Sequence, residues 1–121
     1  MADTAARYDI EGMANELETD LETIAGLYAS YMEEMESEVS EMEACLSRSD
    51  WYMLERVVHN IKGVSANLGV EDVFAAAREF DDLLKQNTTA DAAGRVAHIG
   101  QLIDGAKTEI KRFFQNKGLL L

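Results

Sequence analysis

The chain has 121 residues, of which 47% are hydrophobic, enough to form the core of one domain, and we expect a single helical domain over residues 1–121. Its net charge of −12 argues against binding to nucleic acid or to an anionic membrane, since both need the opposite sign. The single cysteine, Cys45, excludes an internal disulfide and is typical of a reducing compartment.

The sequence predicts a cytoplasmic protein made of helices. No apolar run is long enough to span a bilayer, and the segment Met1 to Arg7 lacks the basic-then-apolar order of a signal peptide. Proline is absent, so nothing forces a break inside a long helix. Alternating runs of β-branched residues between turn signals are also missing, which gives strands little support.

The first two predicted helices are a short one and a long acidic one. Residues Asp9 to Glu18 have amphipathic helical spacing. Thr19 followed by Glu22 forms a capping box, which predicts that the second helix begins there, and we expect it to end near residues 47–49. One face of this helix carries solvated glutamates, and its apolar stripe contains Leu21, Ile24, Tyr28, Tyr31, Met35, Val39, Met42 and Leu46.

The third and fourth predicted helices follow an aspartate cap. Asp50 precedes a helix from Trp51 to about Leu68, and Gly69 stands where a left-handed residue ends a helix at low cost. Glu71 and Asp72 suit the positive start of the fourth helix. Its apolar stripe contains Val70, Val73, Phe74, Ala77, Phe80 and Leu84.

A polar turn at residues 86–89 leads to the last predicted helix, from Ala90 to about Asn116. Beyond it, Gly118 precedes a short apolar tail, Leu119 to Leu121. Four amphipathic segments with short connections predict an all-α fold, an antiparallel up-down four-helix bundle with a short additional N-terminal helix. We expect the bundle core to span about residues 19–116.

One histidine of the third helix falls on the opposite side from that helix's apolar stripe. At ~100° per residue, His59 points roughly 150° away from the centre of the stripe. Lys62 lies one turn further on, and Gly63 and Ala66 share the exposed half of the helix with His59. An exposed imidazole with an ammonium one turn away and little bulk around it indicates chemistry rather than packing, whereas a histidine without these neighbours would be an ordinary surface residue. The stripe itself contains Leu54, Val57, Val58, Ile61, Ser65 and Leu68.

The residues from His59 to Gly69 follow the pattern H-x-x-K-G-x-S-x-x-L-G, which resembles the central motif of the histidine-containing phosphotransfer (HPt) domain family. The lead-in Asp50-Trp51, the following Leu54 and the long acidic helix before them also match. The later helix through Ala77 and Phe80-Asp81 is similar to the next helix of that family. The resemblance implies a four-helix bundle with an exposed active histidine. It also implies a relay of phosphoryl groups between receiver-domain aspartates in two-component signalling, without kinase activity of its own.

The resemblance assigns roles to the residues of the motif. It implies that His59 is the phosphoacceptor, that Lys62 holds the phosphoryl oxygens, and that Gly63 leaves room for the phosphate and the partner. An exposed imidazole is mostly neutral near pH 7, so its nitrogen can attack the acyl phosphate of a phospho-aspartate without a separate base. Ser65, on the buried stripe, is expected to bond its hydroxyl to the carbonyl of Ile61.

The expected docking surface lies on the exposed half of the third helix. It surrounds His59, Lys62 and Gly63 and comprises Tyr52, Glu55, Arg56 and Ala66. Arg56, Arg78 and Lys85 are candidates to add positive potential near the phosphate. The expected partners are receiver domains of response regulators and of hybrid sensor histidine kinases. Met1 and the compact length favour a free-standing protein over a domain excised from a hybrid kinase, and the sequence leaves both open.

Other functions find less support in the sequence. A kinase is excluded because the chain has no phosphate-cradling glycine loop. A metal-carboxylate bundle needs Glu-x-x-His on two inward faces, but the residues three before His59 and His98 are Arg56 and Arg95. We therefore expect no metal, no carboxylate cage beside His59 and no cofactor, with Mg²⁺ only in the receiver partner. The remaining alternative is a non-catalytic helical adaptor that binds receiver or kinase domains without phosphotransfer.

Overall fold

The computed structural model describes residues 7–121. Residues 1–6 lie outside the described residues. They belong to the predicted domain and to the segment that lacks the order of a signal peptide. Residues 7–121 form no strand, so the prediction of an all-α fold is confirmed. Their five helices, each close to its predicted bounds, are α1 (Ile10–Glu16), α2 (Leu21–Arg48), α3 (Trp51–Asn67), α4 (Glu71–Lys85) and α5 (Ala92–Asn116).

Aspartate side chains cap the first three helices. Asp50 accepts a hydrogen bond from the backbone N–H of Met53 and is the cap that the sequence predicts for α3. The predicted capping box at Thr19 is wrong, because Asp20 is the N-cap of α2 and accepts from the N–H of Thr23. A carboxylate at this position also complements the positive end of the helix, which a threonine hydroxyl does not.

Left-handed residues set the other boundaries. Gly69 has a φ of 69°, which confirms its predicted place after α3, and Ser49 ends α2 at a φ of 54°. Asp91 has a φ of 60°, a conformation that an α-helix cannot contain, so α5 begins at Ala92 rather than at Ala90.

The four long helices pack in a ring, in which α3 and α5 each contact α2 and α4. Contacting side chains show that α2 and α3 run in opposite directions: Tyr28 of α2 reaches Leu68 at the end of α3, while Glu38 reaches Asn60. The predicted stripes meet in the core, whose most buried large side chains include Tyr28, Phe80, Phe114, Met35, Leu54, Ile61, Ile99 and Ile110. In the C-terminal tail, Leu119 packs against this core and Leu120 is exposed.

Among residues 7–121, no helix has both the length and the apolar character needed to cross a bilayer. The long helices instead each carry one buried stripe and one polar face.

Ile61→Ala is expected to lower the free energy of unfolding by about 2–5 kcal/mol, because the fully buried side chain leaves a cavity between α3 and its neighbours. Urea unfolding followed by circular dichroism measures the change. Met53→Ala is the matched control, since Met53 lies on the same helix but is exposed. An equal loss for both variants would contradict this description of the core.

Candidate functional site

His59 lies in the middle of α3 and, as the periodicity predicts, outside the core. Its side chain is 56% exposed. The Nδ1 atom is 3.1 Å from Oδ2 of Asp81 on α4 and 4.0 Å from Oε2 of Glu55 one turn back on α3. No group among residues 7–121 forms a hydrogen bond with Nε2. Within the described residues, one ring nitrogen is therefore hydrogen-bonded and the other is not.

Asp81 is the carboxylate that organises the site. Its side chain is completely buried, and its Oδ2 atom lies 2.9 Å from Nζ of Lys62 and 2.9 Å from Nζ of Lys85. A buried carboxylate is tolerated only when charged or hydrogen-bonding partners replace its lost water. Here two ammonium groups and the His59 imidazole do so at one oxygen, while Oδ1 has no partner among the described residues.

The carboxyl groups of Asp81 and Glu55 have opposite pKa shifts. Burial raises the pKa of Asp81, but interaction with the neighbouring Glu55 carboxyl and hydrogen bonds from the two lysine ammoniums outweigh burial and leave this pKa well below its usual range. The pKa of Glu55 is raised, first by its interaction with the Asp81 carboxylate and then by burial. Asp81 is consequently the fixed anion of the pair, and Glu55 is the group that takes up a proton first.

Lys62 and Lys85 approach the site from different helices. Lys62, which the sequence places one turn after His59, binds the same carboxylate oxygen as His59 and is only 22% exposed. Lys85, in the last turn of α4, is 49% exposed, and its Nζ lies 3.4 Å from Nδ1 of His59. Its hydrogen bond to Asp81 raises the pKa of Lys85. Of the three additional cations named from the sequence, Lys85 is the one that reaches Asp81.

The other two cations pair with aromatic rings. The guanidinium of Arg56 lies 5.9 Å from the centre of the Tyr52 ring, at the edge of the depression around His59. The guanidinium of Arg78 lies 5.5 Å from the centre of the Phe74 ring and does not line that depression. Arg56 is thus placed at the rim of the site, and Arg78 is not.

The face around His59 is open. A Cβ atom added at Gly63 would meet nothing within 4 Å, and Ala66 and Tyr52 are exposed, the latter by 70%. Glu55, which the sequence assigns to the docking surface, is instead mostly buried in the charged cluster, because its carboxylate turns toward Lys85 at 3.8 Å.

Ser65 uses its hydroxyl differently from the prediction. Its Oγ lies 2.7 Å from the hydroxyl of Tyr31 on α2, rather than on the carbonyl of Ile61. Both side chains are buried, so each hydroxyl needs the other as a partner. Burial also raises the pKa of Tyr31. Ser65 therefore joins α2 to α3 beneath the site.

Two carboxylates lie beside His59, where the sequence predicts no carboxylate cage. One ligand atom each from Glu55, His59 and Asp81 lies within 4.8 Å of the others. Two ammonium groups already contact the Asp81 oxygen, so the cluster is better suited to anions that displace a carboxylate than to a divalent cation. The absence of a metal cofactor stays a prediction. The other histidine, His98, is exposed on α5 beside Arg95.

Sequence reasoning missed Asp81 as a site residue, and it also missed Asn60. The Nδ2 group of Asn60 donates to Glu34 at 2.8 Å and to Glu38 at 2.7 Å, which ties α3 to the acidic face of α2. A signal for Asp81 is present in the sequence. Asp81 stands at helical spacing between the buried Ala77 and Leu84, so a charged residue is predicted on a buried face and must find partners there.

A family model for the Hpt domain matches residues 26–109, well over half of the chain and all of the charged cluster. The chain belongs to the Hpt domain family. No curated protein and no solved structure shows a significant match. Hpt domains are phosphotransfer carriers in two-component phosphorelays, interact with receiver domains and have no kinase activity of their own. The resemblance seen in the motif at His59 is confirmed at the level of the family.

Asp81→Asn is expected to lower the free energy of unfolding by about 2 kcal/mol at neutral pH, because two ammonium groups lose a buried charged partner. Since the pKa of Asp81 is lowered by folding, its stabilisation is present above the unfolded value of about 3.9 and is lost as the pH falls below it. The pKa of Glu55 is raised by folding, so Glu55 takes up its proton at a higher pH than Asp81 does. Its contribution to the free energy of unfolding therefore grows as the pH falls.

Urea unfolding from pH 7 to pH 3 measures this difference between the wild type and Asp81→Asn. Asp82→Asn, an exposed neighbour on the same helix, is the control for loss of one negative charge. If the difference in the free energy of unfolding between the wild type and Asp81→Asn stays constant down to pH 3, Asp81 is not a buried anion. The same conclusion follows if Asp82→Asn loses as much stability as Asp81→Asn.

Proposed function

We propose that this Hpt domain accepts a phosphoryl group from a receiver-domain aspartate onto His59 and passes it to the aspartate of a second receiver domain. The proposal is carried by one observation: the imidazole is held at Nδ1 by a buried carboxylate, while Nε2 has no hydrogen-bond partner within residues 7–121. The donor and acceptor are receiver domains of response regulators or of hybrid sensor histidine kinases, and we place the exchange in the cytoplasm.

The tautomer of His59 follows from its partner. An ionised carboxylate only accepts hydrogen bonds, so Nδ1 carries the hydrogen that is donated to Asp81 across 3.1 Å. The lone pair of the neutral ring is then on Nε2, which has no hydrogen-bond partner among the described residues. This is the arrangement that a nucleophilic imidazole requires.

The transfer needs no external acid or base. The Nε2 lone pair forms the N–P bond while the P–O bond to the donor aspartate breaks, and the aspartate leaves as a carboxylate with that electron pair. The ring keeps its Nδ1–H and becomes a cation, which Asp81 stabilises. In the second transfer the acceptor aspartate attacks phosphorus, and the ring leaves as a neutral imidazole.

Lys62 and Gly63 assist at the two sides of the phosphoryl group. In the proposed mechanism the Lys62 ammonium neutralises phosphoryl oxygens, as phosphoryl transfer depends mainly on positioning and charge stabilisation. The open space at Gly63 admits the phosphate and the partner's backbone. We assign the docking surface to Tyr52, Arg56 and Ala66 around His59, with Glu55 at its inner edge. No cofactor is assigned to this chain, and Mg²⁺ belongs to the receiver.

His59→Gln is expected to abolish labelling when the protein is mixed with a phosphorylated receiver domain, because glutamine offers no nucleophilic nitrogen. In the wild type the label is expected to be acid-labile and stable in base. Gel autoradiography after each treatment provides the measurement, and a panel of receiver domains from the source organism provides the donors.

His98→Gln is the matched control, since it removes the other histidine of the chain from an exposed position on α5. Label that survives His59→Gln but disappears in His98→Gln would show that His98, and not His59, is the phosphoacceptor. Binding of receivers without any label on the wild type would favour the non-catalytic adaptor instead.

A further inference from the structure

The cluster around His59 contains equal numbers of acidic and basic side chains. Glu55 and Asp81 provide two carboxylates, and Lys62 and Lys85 provide two ammonium groups. The neutral imidazole adds no charge. Every cation in the cluster is therefore already matched before a phosphoryl group arrives, and a dianionic phosphoryl group needs cations of its own.

The charge that phosphorylation creates on the ring changes this balance. A ring with a bond from Nε2 to phosphorus and a hydrogen on Nδ1 carries a positive charge. That charge sits 3.1 Å from Oδ2 of Asp81, the atom that both lysines share. The phosphorylated ring can thus replace the lysines as the counterion of the buried carboxylate.

Lys85 has the freedom to move when this happens. Its side chain is 49% exposed and ends a flexible four-carbon chain in the last turn of α4, whereas Asp81 is fully buried. Its Nζ is already 3.4 Å from the His59 ring. The guanidinium of Arg56, the other cation at the rim, lies instead over the ring of Tyr52.

We propose that Lys85 is a second phosphoryl-binding residue, which Asp81 holds beside His59 until the loaded ring takes its place and frees the ammonium for a phosphoryl oxygen. The proposal rests on His59 as the phosphoacceptor. Lys62 and Lys85 together then match the two negative charges of the phosphoryl group, and Asp81 matches the ring. Glu55 is left without a cation and is the group placed to take up a proton.

The rate at which potassium phosphoramidate phosphorylates the isolated protein tests this proposal without any receiver. Lys85→Gln is expected to slow loading of His59 by about fivefold, the effect of one partly exposed charge-assisted hydrogen bond, and Lys85→Arg is expected to recover most of the rate. Lys111→Gln removes the same charge from an exposed position on α5 and is expected to load at the wild-type rate. Equal rates for Lys85→Gln and the wild type would overturn the proposal.

A second measurement covers the case in which Lys85→Gln is less stable. The ¹H–¹⁵N resonance of the Lys85 ammonium is followed in the wild type before and after loading, with His59→Gln as the unloaded reference. A shift on loading that is absent in the reference supports the exchange of partners, and an unchanged resonance overturns it. If phosphoramidate phosphorylates His59 but no phosphorylated receiver does, the proposed relay is wrong. The loading rates of Lys85→Gln and the wild type still decide whether Lys85 binds the phosphoryl group.

Discussion

The site depends on one carboxylate oxygen. Oδ2 of Asp81 accepts hydrogen bonds from two lysines and from the His59 imidazole, all within 3.1 Å. Burial would make this carboxylate unfavourable on its own, and the ammonium groups of Lys62 and Lys85 would repel each other without it. The same contacts fix the imidazole, place positive charge beside it and join α3 to α4, so that the geometry and the electrostatics of the His59 site have one origin.

The fold supplies the rigid frame for this cluster. The buried stripes of α3 and α4 bring Ile61 and Phe80 into one core, which sets His59 and Asp81 opposite each other on the edge of the helix pair. Beneath the site, the hydroxyls of Ser65 and Tyr31 bind α3 to α2. These supports are buried, whereas the face around His59 is exposed, with open space at Gly63.

Helical periodicity predicted the helices, their buried faces and the outward position of His59, because each follows from local spacing along one helix. It failed where the outcome depends on a contact between helices. Ser65 pairs with Tyr31 instead of its own backbone, and the contact of Glu55 with Lys85 on α4 was not predicted. Asp81 stood on a predicted buried face, but its three partners come from two helices, and only the folded structure shows that they meet at one atom.

The tautomer of His59, read from ¹H–¹⁵N correlations of its ring nitrogens in the wild-type protein at neutral pH, is the most direct test of the proposed nucleophile. We expect a hydrogen on Nδ1, bound to Asp81, and an unprotonated Nε2. A hydrogen on Nε2, with Nδ1 accepting from Lys85, would leave Nε2 without a lone pair and would contradict the proposed transfer.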